Sequence, residues 1–164
     1  MANEADSSTD LETRRALYGG TIALEMPDIL EILPHRGPVL LVDRVYSLVP
    51  GQHAVGCKVV TGNEYGLSRP RRGFVFPSTL AFEAIGQLAA LALLFGQARA
   101  ADDEPNLALA AVQELTVHRE MLESGVIHLS VDVQRRRRGI ARIEGHATLE
   151  GQPYLDALFD LAVG

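Results

Sequence analysis

An α+β domain, with one long buried helix wrapped by a curved antiparallel sheet, is the fold class that three features of this 164-residue chain predict. The first is the run over residues 80–96, in which Glu83 and Gln87 are the only polar side chains. Ala and Leu dominate it and β-branched residues are nearly absent, the composition of a helix, and a helix apolar almost all round belongs in a core. The second is alternation with a period of two. Ile127, Leu129, Val131 and Val133 alternate with His128, Ser130 and Asp132, and Ala141, Ile143, Gly145, Ala147 and Leu149 alternate with Arg142, Glu144, His146, Thr148 and Glu150. The third is punctuation by turn residues, at Pro50-Gly51 and at Gly151-Gln152-Pro153.

The elements follow in order. Residues 1–24 read as a flexible, polar tail with Gly19-Gly20 as a break, and residues 25–164 as one domain. Asp28 is placed to cap a short turn through Ile29, Leu30 and Ile32 that Pro34 stops. Gly37-Pro38 opens an apolar strand over 39–42, ending at Asp43-Arg44, and residues 53–60 read as a second strand. Residues 61–76 form a loop rich in Gly, Pro and Arg, and Pro77-Ser78-Thr79 supplies a helix start with hydroxyl caps. After the helix comes a polar connection over 100–106, then strands, with residues 154–163 closing the sheet.

Composition narrows the function. The length suits one domain with one sizeable core, and 47% hydrophobic content argues for a globular protein. Fifteen Lys and Arg against 21 Asp and Glu give a net charge of -6, which disfavours a nucleic-acid binder. Cys57 is the only cysteine, so no intrachain disulfide forms and a reducing compartment fits. The first ten residues carry no apolar signal-peptide core, and the helix over 80–96 is marginal in length and interrupted by Glu83 and Gln87. A cytoplasmic protein without a membrane span is therefore expected. No glycine-rich phosphate loop, Gly-x-Ser-x-Gly elbow or His-Glu-x-x-His pair is present. The five histidines, His35, His53, His118, His128 and His146, are widely spaced. No metal site and no cofactor are expected.

Glu83 is the chemically informative residue. A carboxylate in an apolar helix is costly unless partnered, and burial raises its pKa, which makes it a candidate acid–base group. Gln87, one turn later, shares its face and is its expected hydrogen-bond neighbour. The plainer reading is a partly solvated Glu favoured by the dipole at a helix N-terminus.

Three segments, in order, resemble one family. Ile29-Leu-Glu-Ile-Leu-Pro-His-Arg-Gly-Pro-Val-Leu-Leu-Val-Asp-Arg44 is similar to the N-terminal signature of the 3-hydroxyacyl-acyl-carrier-protein dehydratases. Pro77-Ser-Thr-Leu-Ala-Phe-Glu-Ala-Ile-Gly-Gln87 is similar to the opening of that family's central helix, and residues 134–151 to its final hairpin. The resemblance implies a hotdog fold, usually a dimer with a continuous sheet and a thioester tunnel at its interface. It implies further a catalytic His from one subunit and a catalytic carboxylate, matched by Glu83, from the other. The backbone of Ser78 or Thr79 would hold the thioester carbonyl, where negative charge develops as the α-proton leaves.

One part of the pattern departs. The family's loop normally contains Gly-His-Phe-Pro, followed shortly by Met-Pro-Gly. Counting back from Pro77 puts Arg69 at the His position, and aligning by Gly73 puts Phe74 there. A guanidinium stays protonated and is no base, so Arg69 would bind an anion or polarise the thioester. Four readings stay open: dehydration with another group recruited, His35 or Tyr65 among them; a mixed dimer with a His-bearing homologue; a thioesterase using Glu83 alone; or a silent subunit that binds acyl carriers. The expected partner is an acyl carrier protein or a coenzyme A thioester, in a homodimer or trimer of dimers. Arg71 and Arg72, before the helix, are placed to dock an acidic carrier, whereas Arg135 to Arg138 fit docking and a solvated strand surface equally well.

Overall fold

A computed structural model describes residues 21–61, 68–69, 73–74, 76–97 and 107–164. Helix α1 (Met26–Ile32) precedes strands β1 (Arg44–Val49) and β2 (His53–Val60). Short strands β3 (Ser68–Arg69) and β4 (Gly73–Phe74) pair with each other ahead of the long helix α2 (Ser78–Leu94). Strands β5 (Leu107–Val117), β6 (Gly125–Arg137), β7 (Ile140–Leu149) and β8 (Gln152–Val163) complete the chain. Six strands form one antiparallel sheet in the order β1-β2-β6-β7-β8-β5. With α2 packed against β1, β2, β6, β7 and β8, this is the α+β hotdog architecture.

The alternating runs explain how the sheet receives the helix. Ile127, Leu129 and Val131 of β6, Ala141, Ile143 and Ala147 of β7, and Leu155, Ala157, Phe159 and Leu161 of β8 are all buried. Register lines them up across the strands, Val131 with Gly145 and Gly145 with Ala157. Glycines sit where the helix comes closest. A Cβ on Gly145 would collide with Ile85 of α2, and one on Gly56 would lie 2.5 Å from the Arg44 carbonyl oxygen and 3.3 Å from Leu88 of α2. Eleven residues of α2, from Ala81 to Leu94, are buried. Among the described residues no helix is long and apolar enough to cross a membrane.

Three local expectations are corrected. Residues 39–42 form no strand; β1 begins at Arg44, and the segment before it bonds to a side chain of α2 described below. Asp28 occupies the third position of α1 rather than its cap, and its Oδ2 accepts from the Glu25 N–H at 2.8 Å. The cap of α2 is Pro77, with no side-chain cap bond, so the Ser78 and Thr79 hydroxyls lie inside the first turn. Packing also starts earlier than residue 25. Ile22 and Leu24 are buried, and Leu24 exchanges backbone hydrogen bonds of 3.0 Å with Val45 of β1.

Candidate active site

On α2, Phe82, Glu83, Gly86, Gln87 and Ala90 recur at helical spacing and make one stripe. That stripe forms one wall of a cleft of about 150 Å³. Leu107 to Leu109 of β5 and Phe159 and Leu161 of β8 form the opposite wall, and His35 stands at its polar end with Glu83 and Gln87. Phe82 and Phe159 meet edge to face, their ring centroids 5.2 Å apart. Gly86 contributes width, because a Cβ there would meet nothing within 4 Å.

Glu83 is not the buried carboxylate that its neighbours in sequence suggest. Its side chain is 45% exposed, because the cleft opens beside it. The buried polar group is Gln87, at 1% exposure. Its Oε1 accepts from the backbone N–H groups of Leu41 (2.8 Å) and Val42 (3.4 Å). Its Nε2 donates to the Val39 carbonyl (2.7 Å) and to Glu83 Oε1 (2.9 Å). All four hydrogen-bonding positions of the amide are thus used, and the two backbone donors fix which end is oxygen. Gln87 stands in for the strand that residues 39–42 do not form, and the same side chain holds the Glu83 carboxylate in place.

The next residues upstream are held by Arg36, whose Nη1 donates to the carbonyls of Leu33 and His35, both at 2.8 Å. His35 Nε2 is thereby placed 3.7 Å from Glu83 Oε1. Its Nδ1 is buried and has no hydrogen-bond partner among the described residues. Three of the other histidines have carboxylate partners: His53 with Asp132 at 2.9 Å, and His118 and His146 with the two oxygens of Asp156 at 2.6 and 2.7 Å. Burial pushes the Asp156 carboxyl up, but its bonds to His146 and His118 outweigh this and hold it below the ordinary value. His128 is exposed, its ring 6.3 Å from that of Tyr46.

The structure therefore brings Glu83, Gln87 and His35 together, and sequence reasoning gave His35 only a minor place. The signal was present in Pro34-His35-Arg36, but nothing in the chain order tells that this turn meets the start of α2. Ser78 and Thr79 do not line the cleft. Arg69 and Phe74 belong to β3 and β4, and their side chains lie outside the described part, as do Tyr65, Arg71 and Arg72 altogether. Arg135, Arg137, Arg138 and Arg142 gather in a separate surface hollow with Asp160. Among the described residues no group of His, Cys, Asp or Glu is arranged to hold a metal ion.

Comparison with models of known families finds no match. Known proteins do match. The chain is 33% identical over 140 residues to the 3-hydroxyacyl-[acyl-carrier-protein] dehydratase FabZ of Cereibacter sphaeroides, covering 85% of this chain and 90% of that protein. It is 32% identical over 143 residues to FabZ of Bacillus subtilis, covering 86% and 99%. Among solved structures, the dehydratase heterocomplex ApeI:P from Xenorhabdus doucetiae superposes with a TM-score of 0.70 at 13% identity, over 83% of this chain and 90% of that one. With a helix, a wrapped sheet and a carboxylate at the start of that helix already in place, relatives of this closeness over nearly the whole length decide the matter: the chain belongs to the FabZ family of 3-hydroxyacyl-[acyl-carrier-protein] dehydratases.

Proposed function

We infer that this protein is a dehydratase-like lyase that removes water from 3-hydroxyacyl thioesters on an acyl carrier protein, giving 2-enoyl thioesters for fatty-acid or related acyl-chain synthesis. One observation carries the reading: in a chain of this family, Gln87 presents the Glu83 carboxylate at the polar end of an apolar cleft. Elimination needs an acid for the departing hydroxyl and a base for the α-proton, each worth about 10² to 10⁴ in rate. Glu83 takes the first role, and the apolar walls receive the acyl chain.

The assembly is a homo-oligomer, built on a dimer. β5 supports this, because Leu109, Val112, Leu115 and Val117 on it are exposed, and its first residues line the cleft. Arg71 and Arg72 dock the acidic carrier, and the reaction takes place in the cytoplasm. Reversing both charges is expected to weaken carrier binding at low salt; unchanged binding refutes the docking role.

The test is mass spectrometry of a 3-hydroxyacyl-loaded carrier protein incubated with the purified chain. Loss of one water is expected, and Glu83→Gln is expected to reduce it by about 10² or more while the fold persists. Release of the whole acyl group would instead make the protein a thioesterase. Turnover that needs an added His-bearing homologue would make it half of a mixed dimer.

A further inference from the structure

We propose that His35 is the base of this active site, acting with Glu83 of the same subunit. The inference rests on the dehydration reading above and names the group which that reading leaves open. On the resemblance drawn from the sequence, Arg69 or Phe74 falls where the family carries its histidine, and the dehydration reading then needs another acceptor for the α-proton.

Geometry selects His35 from the five histidines. It alone lines the cleft, and its Nε2 stands 3.7 Å from Glu83 Oε1. That gap is too long for a hydrogen bond. It leaves the two groups close enough to face adjacent carbons of one substrate from the same side. The two side chains are 32% and 45% exposed, so both are open to a substrate. Both are also fixed by one residue: Gln87 bonds Glu83 directly and bonds the segment that follows His35 through Val39, Leu41 and Val42. A histidine serving only to pack or to brace would be expected to bond through its ring, as His53, His118 and His146 do. His35 keeps Nδ1 buried without a partner among the described residues, and its Nε2 stands beside Glu83 at the cleft.

The step balances within this pair. His35 Nε2 takes the C2 proton of the substrate, and the C2–H electrons form the C2=C3 bond. The C3–O bond breaks, and its oxygen takes the proton of the Glu83 carboxylic acid and leaves as water. The proton on His35 then crosses to Glu83, which restores both groups for the next turnover.

Three measurements test the pair. In the carrier-protein assay, His35→Gln is expected to slow water loss by about 10² or more; a variant within threefold of wild type overturns the inference and leaves the dehydration reading standing. Deuterium wash-in at C2 of a butyryl-loaded carrier in D2O isolates the base, because no hydroxyl leaves. His35→Gln is expected to abolish wash-in and Glu83→Gln to retain it. This arm decides the inference even where wild type shows no water loss, a result that would sink the dehydration reading: wash-in that depends on His35 upholds the base, and its absence overturns it. Mixing the His35→Gln and Glu83→Gln chains is expected to restore nothing, and restored turnover would show that the two groups act across subunits. Should His35→Gln fail to fold, the ring resonances of His35 are titrated by NMR in wild type and Glu83→Gln; an unmoved titration overturns the pairing.

Discussion

The β6–β7–β8 surface and the 33–43 segment both pack against α2, and they are held in opposite ways. On the sheet, continuous antiparallel ladders carry the load and side chains merely alternate, in for the helix and out for water. In the segment, the carbonyls of Leu33, His35 and Val39 and the N–H groups of Leu41 and Val42 are satisfied by the side chains of Arg36 and Gln87. The ladder is redundant, since one lost bond leaves many. The segment is not, because one amide makes three of its contacts. A scaffold tolerates substitution at single positions, whereas a site needs its few fixed points, and here they are concentrated in Gln87.

The sharpest way to break this contrast is Gln87→Leu. It strands the buried N–H groups of Leu41 and Val42 and releases Glu83, so a loss of about 2–6 kcal/mol is expected, at about 1–3 kcal/mol per orphaned group. Activity should fall as far as in Glu83→Gln. Chemical denaturation and the carrier assay read both, and a variant that loses neither would show that the segment holds itself. On the scaffold side, Gly145→Ala forces a methyl against Ile85 and is expected to cost about 1–3 kcal/mol. Pairing it with Ile85→Leu, which removes the clashing γ2 methyl, should return part of that stability without changing the rate. An equal loss of rate would erase the division between the two regions.

The smallest expected effect concerns the point where sheet and site approach meet. The Tyr154 hydroxyl donates to the Phe76 carbonyl at 3.3 Å, just ahead of α2. Burial, with a smaller push from the Glu120 charge, moves this phenol from 10.0 up to about 12. The folded chain therefore keeps its proton where the unfolded chain has lost it. Stability is fully present below pH 10.0 and declines as the pH rises towards about 12. Tyr154→Phe should flatten this alkaline decline at a small cost near neutrality. An unchanged slope in alkaline unfolding curves would assign the decline to other groups.

The same contrast explains what could be read from residue order alone. A period of two over residues 127–133 and 141–149 and an apolar run over 80–96 are local patterns imposed by one shared core, so β6, β7 and α2 were legible. Glu83 and its link to Gln87 were legible as well, since four residues make one turn. The strand expected over 39–42 failed for an instructive reason. Leu41 and Val42 are buried, as strand residues would be, but their N–H groups go to a side chain 45 or more positions away. Propensity carries no information about such a partner. His35 escaped emphasis for the same reason: its position beside Glu83 is set by Arg36 and Gln87, through contacts that no spacing rule contains.

The two borders of the six-stranded sheet also differ. Residues 22 and 24 bond along β1 and so seal that border, while among the described residues no strand pairs with the outer side of β5. A sheet that accepts a neighbour on one side only behaves like a monomer with a single reactive end. Two copies joined through β5 would leave only sealed ends outward, so growth would stop at the pair. Fibre formation, the ordinary hazard of an exposed strand, would then be hindered by two residues that precede the first helix.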